Sequence, residues 1–110
     1  MHVMRTHEQI DQRSRALGCA VADKLERQPE LLESARRNLE RWIAASGGTP
    51  LRAHTEWRDL LDRLPPPALL KLLRSDTEEA RRLRQSSPFA GLLSPAERWR
   101  ILSEYETQPA

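Results

Sequence analysis

Proline and glycine divide this chain into segments of helical length, and this punctuation constrains the fold more than any other feature. Proline fits the first turn of a helix, and glycine fits the left-handed position after the last turn. Pro29 and Pro50 therefore mark two helix starts, Gly47 marks one end, and the prolines at 65–67 mark another. The spacing predicts helices over about 7–27, 29–46, 49–64, 68–73, 76–84 and 95–106.

Three residue pairs have the spacing of a capping box, in which a Ser or Thr and a Glu or Gln three positions later satisfy each other's backbone N–H groups. The pairs are Thr6 with Gln9, Ser75 with Glu78, and Ser94 with Glu97. They predict the starts of the first, fifth and last helices. Gly18 lies in the middle of the first helix, either as a weak point or where another backbone approaches closely.

Composition also favours a helical fold. The hydrophobic residues make up 38% of the chain and are mostly Leu and Ala, with one Phe and one Tyr, whereas aromatic and β-branched residues are the ones that fill sheets. We therefore predict an all-α protein, a compact bundle of five to six short helices that forms one domain over 1–110. Within that domain we expect a helical hairpin over 1–46 and a helical remainder over 49–106.

The apolar stripes identify an expected core. Trp42 and Trp57 both lie on such stripes, which predicts core positions for them. The helix over 68–73 is apolar on most sides, so it must be covered by other helices or by a partner. If the partner is a second copy, the chain is a self-associating structural or adaptor protein and forms a homodimer.

The charge pattern and the cysteine content narrow the class of protein. The chain carries 18 basic and 16 acidic residues, and their interleaving indicates solvated helix faces with no basic tail for nucleic acid. The single cysteine, Cys19, excludes an internal disulfide and favours a reducing compartment. Residues 1–12 lack the apolar core of a signal peptide, and no run approaches the roughly 18 apolar residues of a membrane span. We therefore expect a cytoplasmic protein.

Residue types that perform catalysis are not clustered in the sequence. His2, His7 and His54 are scattered, and Cys19 lies near an apolar stripe, where a small buried thiol is the ordinary outcome. The glycine pair at 47–48 is not followed by a phosphate-loop pattern. The sequence thus predicts a protein that is not an enzyme, uses no cofactor or metal, and acts by binding another macromolecule.

DNA is one alternative partner. Arg36, Arg37 and Arg41 lie on the second helix, which an all-helical domain can offer to a major groove. Glu33 and Glu40 lie on the same helix and repel phosphates, so mixed-charge amphipathic packing is the favoured interpretation. A helical DNA-binding regulator remains an alternative, and it predicts an affinity that falls steeply with salt.

The segment over 81–106 joins an arginine-rich helix, a proline-fixed bend, an apolar tip and a capped helix. Its apolar tip either folds back onto the helix over 68–73 or docks into a groove of a partner, with arginines meeting acids at the rim. Because proline and the cap restrict the free segment, ordering it on binding costs less. The predicted partner-binding residues are Arg81, Arg84, Pro88, Phe89, Leu92, Leu93, Arg98 and Trp99.

Residues 84–102, RQSSPFAGLLSPAERWRIL, resemble the tail of some small bacterial antitoxins of toxin–antitoxin pairs. In those tails a helix is followed by the letters SPFAG, one hydrophobic residue and a leucine. A serine or threonine comes next, and then two residues of any type, a glutamate and an arginine. The resemblance covers about a sixth of the chain, and residues 1–74 do not resemble the DNA-binding domains that usually precede such tails.

The resemblance implies that the partner is an RNA-cleaving toxin with an acidic metal site. Arg84 or Arg98 would then reach its carboxylates, while Phe89, Leu92 and Trp99 would anchor the segment in apolar pockets. We therefore expect an antitoxin-like regulator that neutralises a partner protein. The opposing interpretation is that these apolar residues complete the chain's own small core. For Trp99 we favour this core position, because its helix needs a buried face.

Overall fold

The structure is a computed structural model that describes residues 7–106, and within them the side chains of residues 9–104 apart from that of Ala90. Residues 7–106 form six α-helices and one turn of 3-10 helix. In chain order they are α1 (His7–Arg27), α2 (Leu31–Ala45), α3 (Arg52–Arg63), α4 (Pro66–Arg74), α5 (Glu78–Arg84), the 3-10 turn (Ala90–Leu92) and α6 (Pro95–Glu106). This confirms the predicted all-α bundle of five to six helices.

The predicted limits of α1 and α6 are confirmed, and the capping box of α6 is formed. The backbone N of Ser94 donates to Glu97 Oε1 at 2.8 Å, and the backbone N of Glu97 donates to Ser94 Oγ at 3.1 Å. Gly47 takes the expected left-handed conformation after α2, with φ of 69°. Thr6, the predicted cap of α1, lies outside the described residues.

Four of the predicted helix starts are wrong. α2 begins at Leu31 with Glu30 as its cap residue, so Pro29 precedes the helix and does not lie in its first turn. α4 begins at Pro66 and not at residue 68, because prolines fit the first turn of a helix.

Leu51, and not the pair at 49–50, is the cap residue of α3. Thr77, and not Ser75, caps α5, because its side chain accepts a hydrogen bond from the backbone N of Ala80 at 3.1 Å. Ser75 instead ends α4, where its backbone N donates to the carbonyl of Leu72.

Packing is arranged around α1, which contacts α4 most extensively and also α6 and α5, whereas α2 packs chiefly on α3. The two helices of the expected hairpin, α1 and α2, thus each have their main contacts with other helices. Gly18 allows the close approach of α1 and α4, since a Cβ atom there would lie 2.4 Å from the carbonyl oxygen of Leu73. This confirms the interpretation of Gly18 as a place of backbone approach.

One hydrophobic core joins all six helices and the 3-10 turn. Trp57 lies in it with 1% of its surface exposed, and its Nε1 donates to the carbonyl of Leu83 at 2.9 Å. Leu69 and Leu73 of α4 are also buried there. The chain's own helices therefore cover one side of the apolar helix, while Leu70 and Leu72 are only partly buried.

No helix of the described part of the chain is both long and apolar enough to cross a membrane.

Candidate functional site

The predicted partner-binding segment divides into an inward half and an outward half. In the inward half, Pro88, Phe89, Leu92 and Leu93 are all buried. Phe89 has no exposed surface and meets the edge of the Trp57 ring, with ring centroids 5.6 Å apart and planes at 83°. The expectation that these four residues are presented to a partner is therefore wrong, because they close the chain's own core.

Trp99 belongs to the outward half and is 71% exposed. The side of α6 that packs on α1 is defined by Glu97, whose Oε1 lies 2.7 Å from Lys24 Nζ, and by Ile101, which packs against the core. A helix turns about 100° per residue, so Trp99, two positions from both, points about 200° away from each. The prediction that Trp99 lies in the core is therefore wrong.

The three predicted arginines of the segment lie in different surroundings. Arg81 Nε is 3.3 Å from Asp76 Oδ1 and 3.6 Å from Asp11 Oδ2, so it serves an ion-pair cluster of its own chain. Arg98 is exposed. Arg84 is half-buried.

Arg84 passes over Gly18 and ties three parts of the fold together. Its Nε donates to Ser14 Oγ at 2.9 Å, and its Nη1 donates to the carbonyl of Ser75 at 2.6 Å. Its Nη2 is buried, and within residues 7–106 no atom accepts a hydrogen bond from it. Burial lowers the pKa of Arg84, and the charges of Arg15 and Arg81 act in the same direction, while Asp76 opposes them.

An open cleft of about 550 Å³ lies beside Arg84, and each of the six helices contributes to its wall. Its polar lining consists of Ser14, Arg84, Gln85, Ser86, Ser87 and Arg98, together with His54. Trp42 lines the same cleft, 38% exposed, with its ring centroid 5.0 Å from that of His54. The core position predicted for Trp42 is therefore wrong, whereas the one predicted for Trp57 is confirmed.

The sequence did not indicate the cleft. Trp42, His54 and Ser14 come from three helices and lie far apart in the chain. No local spacing relates them, so only the packing of the helices brings them to one wall.

The three arginines predicted for DNA binding are not gathered into one free basic surface. Arg36 links α2 to α3, since its Nη1 donates to Asp62 Oδ1 at 2.9 Å and its Nη2 donates to the carbonyl of Leu61 at 2.6 Å. Arg41 donates to Asn38 Oδ1 within α2. Arg37 is exposed. Their geometry thus favours structural roles for two of the three.

The described residues hold no group of three or more His, Cys, Asp or Glu side chains suited to a metal ion. Cys19 is half-buried rather than fully buried as expected. Two surfaces remain as candidate sites. One is the side of α6 that carries the exposed Trp99, and the other is the cleft beside Arg84.

Comparison of the chain with protein-family models, with curated protein sequences and with solved structures finds no significant match.

Proposed function

We propose that this chain is a non-enzymatic regulator that binds another protein through the outward face of α6. We define this face by the exposed residues Pro95, Ala96, Trp99 and Arg100, with Arg98 at its edge. The observation that carries the proposal is the 71% exposure of Trp99.

Tryptophan and arginine are the residue types most enriched among the anchors of protein interfaces. A tryptophan side chain also has a large apolar surface. That surface contributes to the free energy of binding only when a partner covers it. Of the exposed large hydrophobic side chains in the described part of the chain, Trp99 is the most exposed.

Two arginines flank this tryptophan. Arg98 and Arg100 are both exposed, and neither forms an ion pair with another described residue. A guanidinium with no ion-pair partner among the described residues can meet a carboxylate of a partner protein. The face therefore fits a partner surface with an apolar pocket and acidic residues at its rim.

The narrower proposal is that the partner is an RNA-cleaving toxin whose activity the chain neutralises. It rests on the resemblance of residues 84–102 to antitoxin tails, with the roles redistributed. Arg98 and Trp99 would contact the toxin, while Phe89 and Leu92 would hold α6 in place from within the core.

The test is co-expression of the chain with the product of the neighbouring reading frame, followed by co-purification and measurement of affinity. We expect a complex that Trp99→Ala weakens by at least about 2 kcal/mol, as for an interface hot spot. Leu51→Ala is the matched control, because Leu51 is an apolar side chain that is 63% exposed and lies outside α6. It should leave the affinity unchanged.

Two results would count against the proposal at different levels. A complex insensitive to Trp99→Ala would exclude the face of α6 as the interface. A stable complex with a neighbour that has no nuclease activity would leave protein binding in place and contradict the toxin assignment.

A further inference from the structure

The cleft beside Arg84 has the dimensions of a small-molecule site. Pockets for small molecules usually occupy about 300–1,000 Å³ and combine an apolar wall with a few convergent polar groups. The cleft, at about 550 Å³, lies within that range. Its apolar wall includes Leu17, Val21, Leu73 and Leu93.

The charges of the cleft have one sign. Among the described residues that line it, the two that carry a full charge are Arg84 and Arg98, and none is acidic. The chain as a whole has nearly equal numbers of basic and acidic residues. The acidic residues Asp11 and Asp76 are engaged instead by Arg81. The cleft therefore favours an anion by charge complementarity.

Arg84 supplies a donor that the fold does not use. Two of its three nitrogens are occupied by Ser14 and Ser75, and the buried Nη2 has no acceptor among residues 7–106. Burying a cation without a matching anion is costly, and a buried donor without a partner requires an explanation. An oxyanion bound beside Arg84 in the cleft would add to the attraction of Asp76 and would offset the cost of burying this cation. A turn of the guanidinium toward the cleft would also give Nη2 an acceptor.

Another part of the cleft wall suits a flat apolar body. Trp42 lies there beside His54, with its indole partly exposed although it belongs to an otherwise apolar helix stripe. An aromatic side chain in the same cleft as two arginines offers a stacking surface for the apolar part of an anionic ligand. We infer that this cleft binds a small organic anion, with its carboxylate or phosphate oxygens toward Arg84 and Arg98 and its apolar part against Trp42.

This inference does not depend on the proposed protein interface, and its test uses the isolated full chain. The first probe is anilinonaphthalenesulfonate, which carries an oxyanion on aromatic rings. The matched probe is phenylnaphthylamine, which has the same rings and no sulfonate. We expect saturable binding of one sulfonate probe per chain, with an affinity at least about tenfold higher than that of the neutral probe, because a charge-assisted hydrogen bond is absent from the latter.

Two variants locate the anion site. Arg98→Gln removes a cation that lines the cleft, and we expect it to weaken probe binding about tenfold. Arg100→Gln is the matched control, because Arg100 is an exposed arginine of the same helix and does not line the cleft. Both side chains are exposed, so both variants should fold. Arg84→Lys, which keeps the charge but not the planar fork, should also weaken binding.

The indole N–H resonances of the tryptophans report where the probe lies. We expect the resonance of Trp42 to shift on addition of probe, while that of Trp99 stays in place. Benzoate and phenylphosphate then identify the preferred oxyanion by displacing the probe, and either one supports the inference. Equal binding of both probes, equal effects of Arg98→Gln and Arg100→Gln, or a shift of Trp99 without Trp42 would overturn it.

Discussion

Phe89 and Trp99 are ten residues apart in one segment of the chain and lie in opposite surroundings. Phe89 is fully buried against Trp57, whereas Trp99 is 71% exposed on the far side of α6. The capping box of Ser94 and Glu97 lies between them, where the buried 3-10 turn has ended and α6 begins. The two halves of the segment therefore have different tasks, since one builds the core and the other faces solvent.

An apolar residue in a loop is therefore not necessarily exposed. The 3-10 turn brings the backbone N of Leu92 to 2.9 Å from the carbonyl of Phe89, which compacts the loop and leaves both side chains buried. Conversely, an aromatic residue in a helix need not be its buried residue, because a short helix can pack through other positions.

The largest expected effect comes from truncating the inward half. Phe89→Ala should lower the free energy of unfolding by about 3–5 kcal/mol, since it removes a fully buried ring and leaves a cavity beside Trp57. Urea denaturation followed by circular dichroism measures this loss. Phe89→Leu, which retains most of the volume, should lose less and keeps the comparison measurable if the alanine variant does not fold. A loss below about 1 kcal/mol would contradict burial of this residue.

The sequence predicted helix limits better than it predicted which side chains are buried. Helix limits depend on local interactions such as the Ser94–Glu97 cap, and the predicted span of α6 is the observed one. The direction of Phe89 depends on space beside Trp57, which lies 32 positions earlier in the chain. No local pattern encodes that space.

The same reason explains why the cleft was not predicted while the outward face was predicted in part. Trp99 and Arg98 were identified because they are neighbours in one segment. The cleft requires Arg84 to cross Gly18, and it requires Trp42 to be left at the rim when α2 packs on α3. Both are consequences of helix packing and have no signature within any single helix.

A smaller loss is expected where α4 and Arg84 meet α1 at Gly18. In Gly18→Ala the new Cβ would lie 2.4 Å from the carbonyl oxygen of Leu73 and 2.9 Å from Arg84 Cδ. The gain in helix propensity is about 1 kcal/mol, and the overpacking costs more, so we expect a net loss of about 1–2 kcal/mol in the free energy of unfolding. Gly91→Ala is the matched control, because nothing lies within 4 Å of a Cβ there. Equal stabilities of the two variants would mean that α1 and α4 are farther apart.

The attachment of the outward half should depend on pH. The hydrogen bond from Lys24, together with those from Ser94, lowers the pKa of Glu97 to about 2. Because the pKa is lower in the folded state than in the unfolded state, at about 4.3, the stabilisation by Glu97 is complete above the unfolded value. It is lost as the pH falls from about 4.3 to about 2.

Urea denaturation of the original chain and of Glu97→Gln at several pH values checks this dependence. The difference in stability between the two should be constant near neutral pH and should shrink as the pH falls through that window. Glu104→Gln, which changes an exposed carboxyl on the same helix, is the control and should show little difference at any pH. A difference for Glu97→Gln that does not change with pH would exclude the ionic contact with Lys24.

The smallest effect on stability is expected for Trp99→Ala, although tryptophan is the largest side chain. An exposed substitution away from caps and core should change the free energy of unfolding by no more than about 0.5 kcal/mol, against the several kcal/mol expected for Phe89→Ala. The same urea denaturation experiment measures both. If Trp99→Ala destabilises the isolated chain by more than about 1 kcal/mol, its indole is packed on its own chain in solution, and the outward face of α6 would no longer be available to a partner. If stability is retained while the affinity for the partner falls, the two aromatic residues of this segment are separated by function as they are by burial.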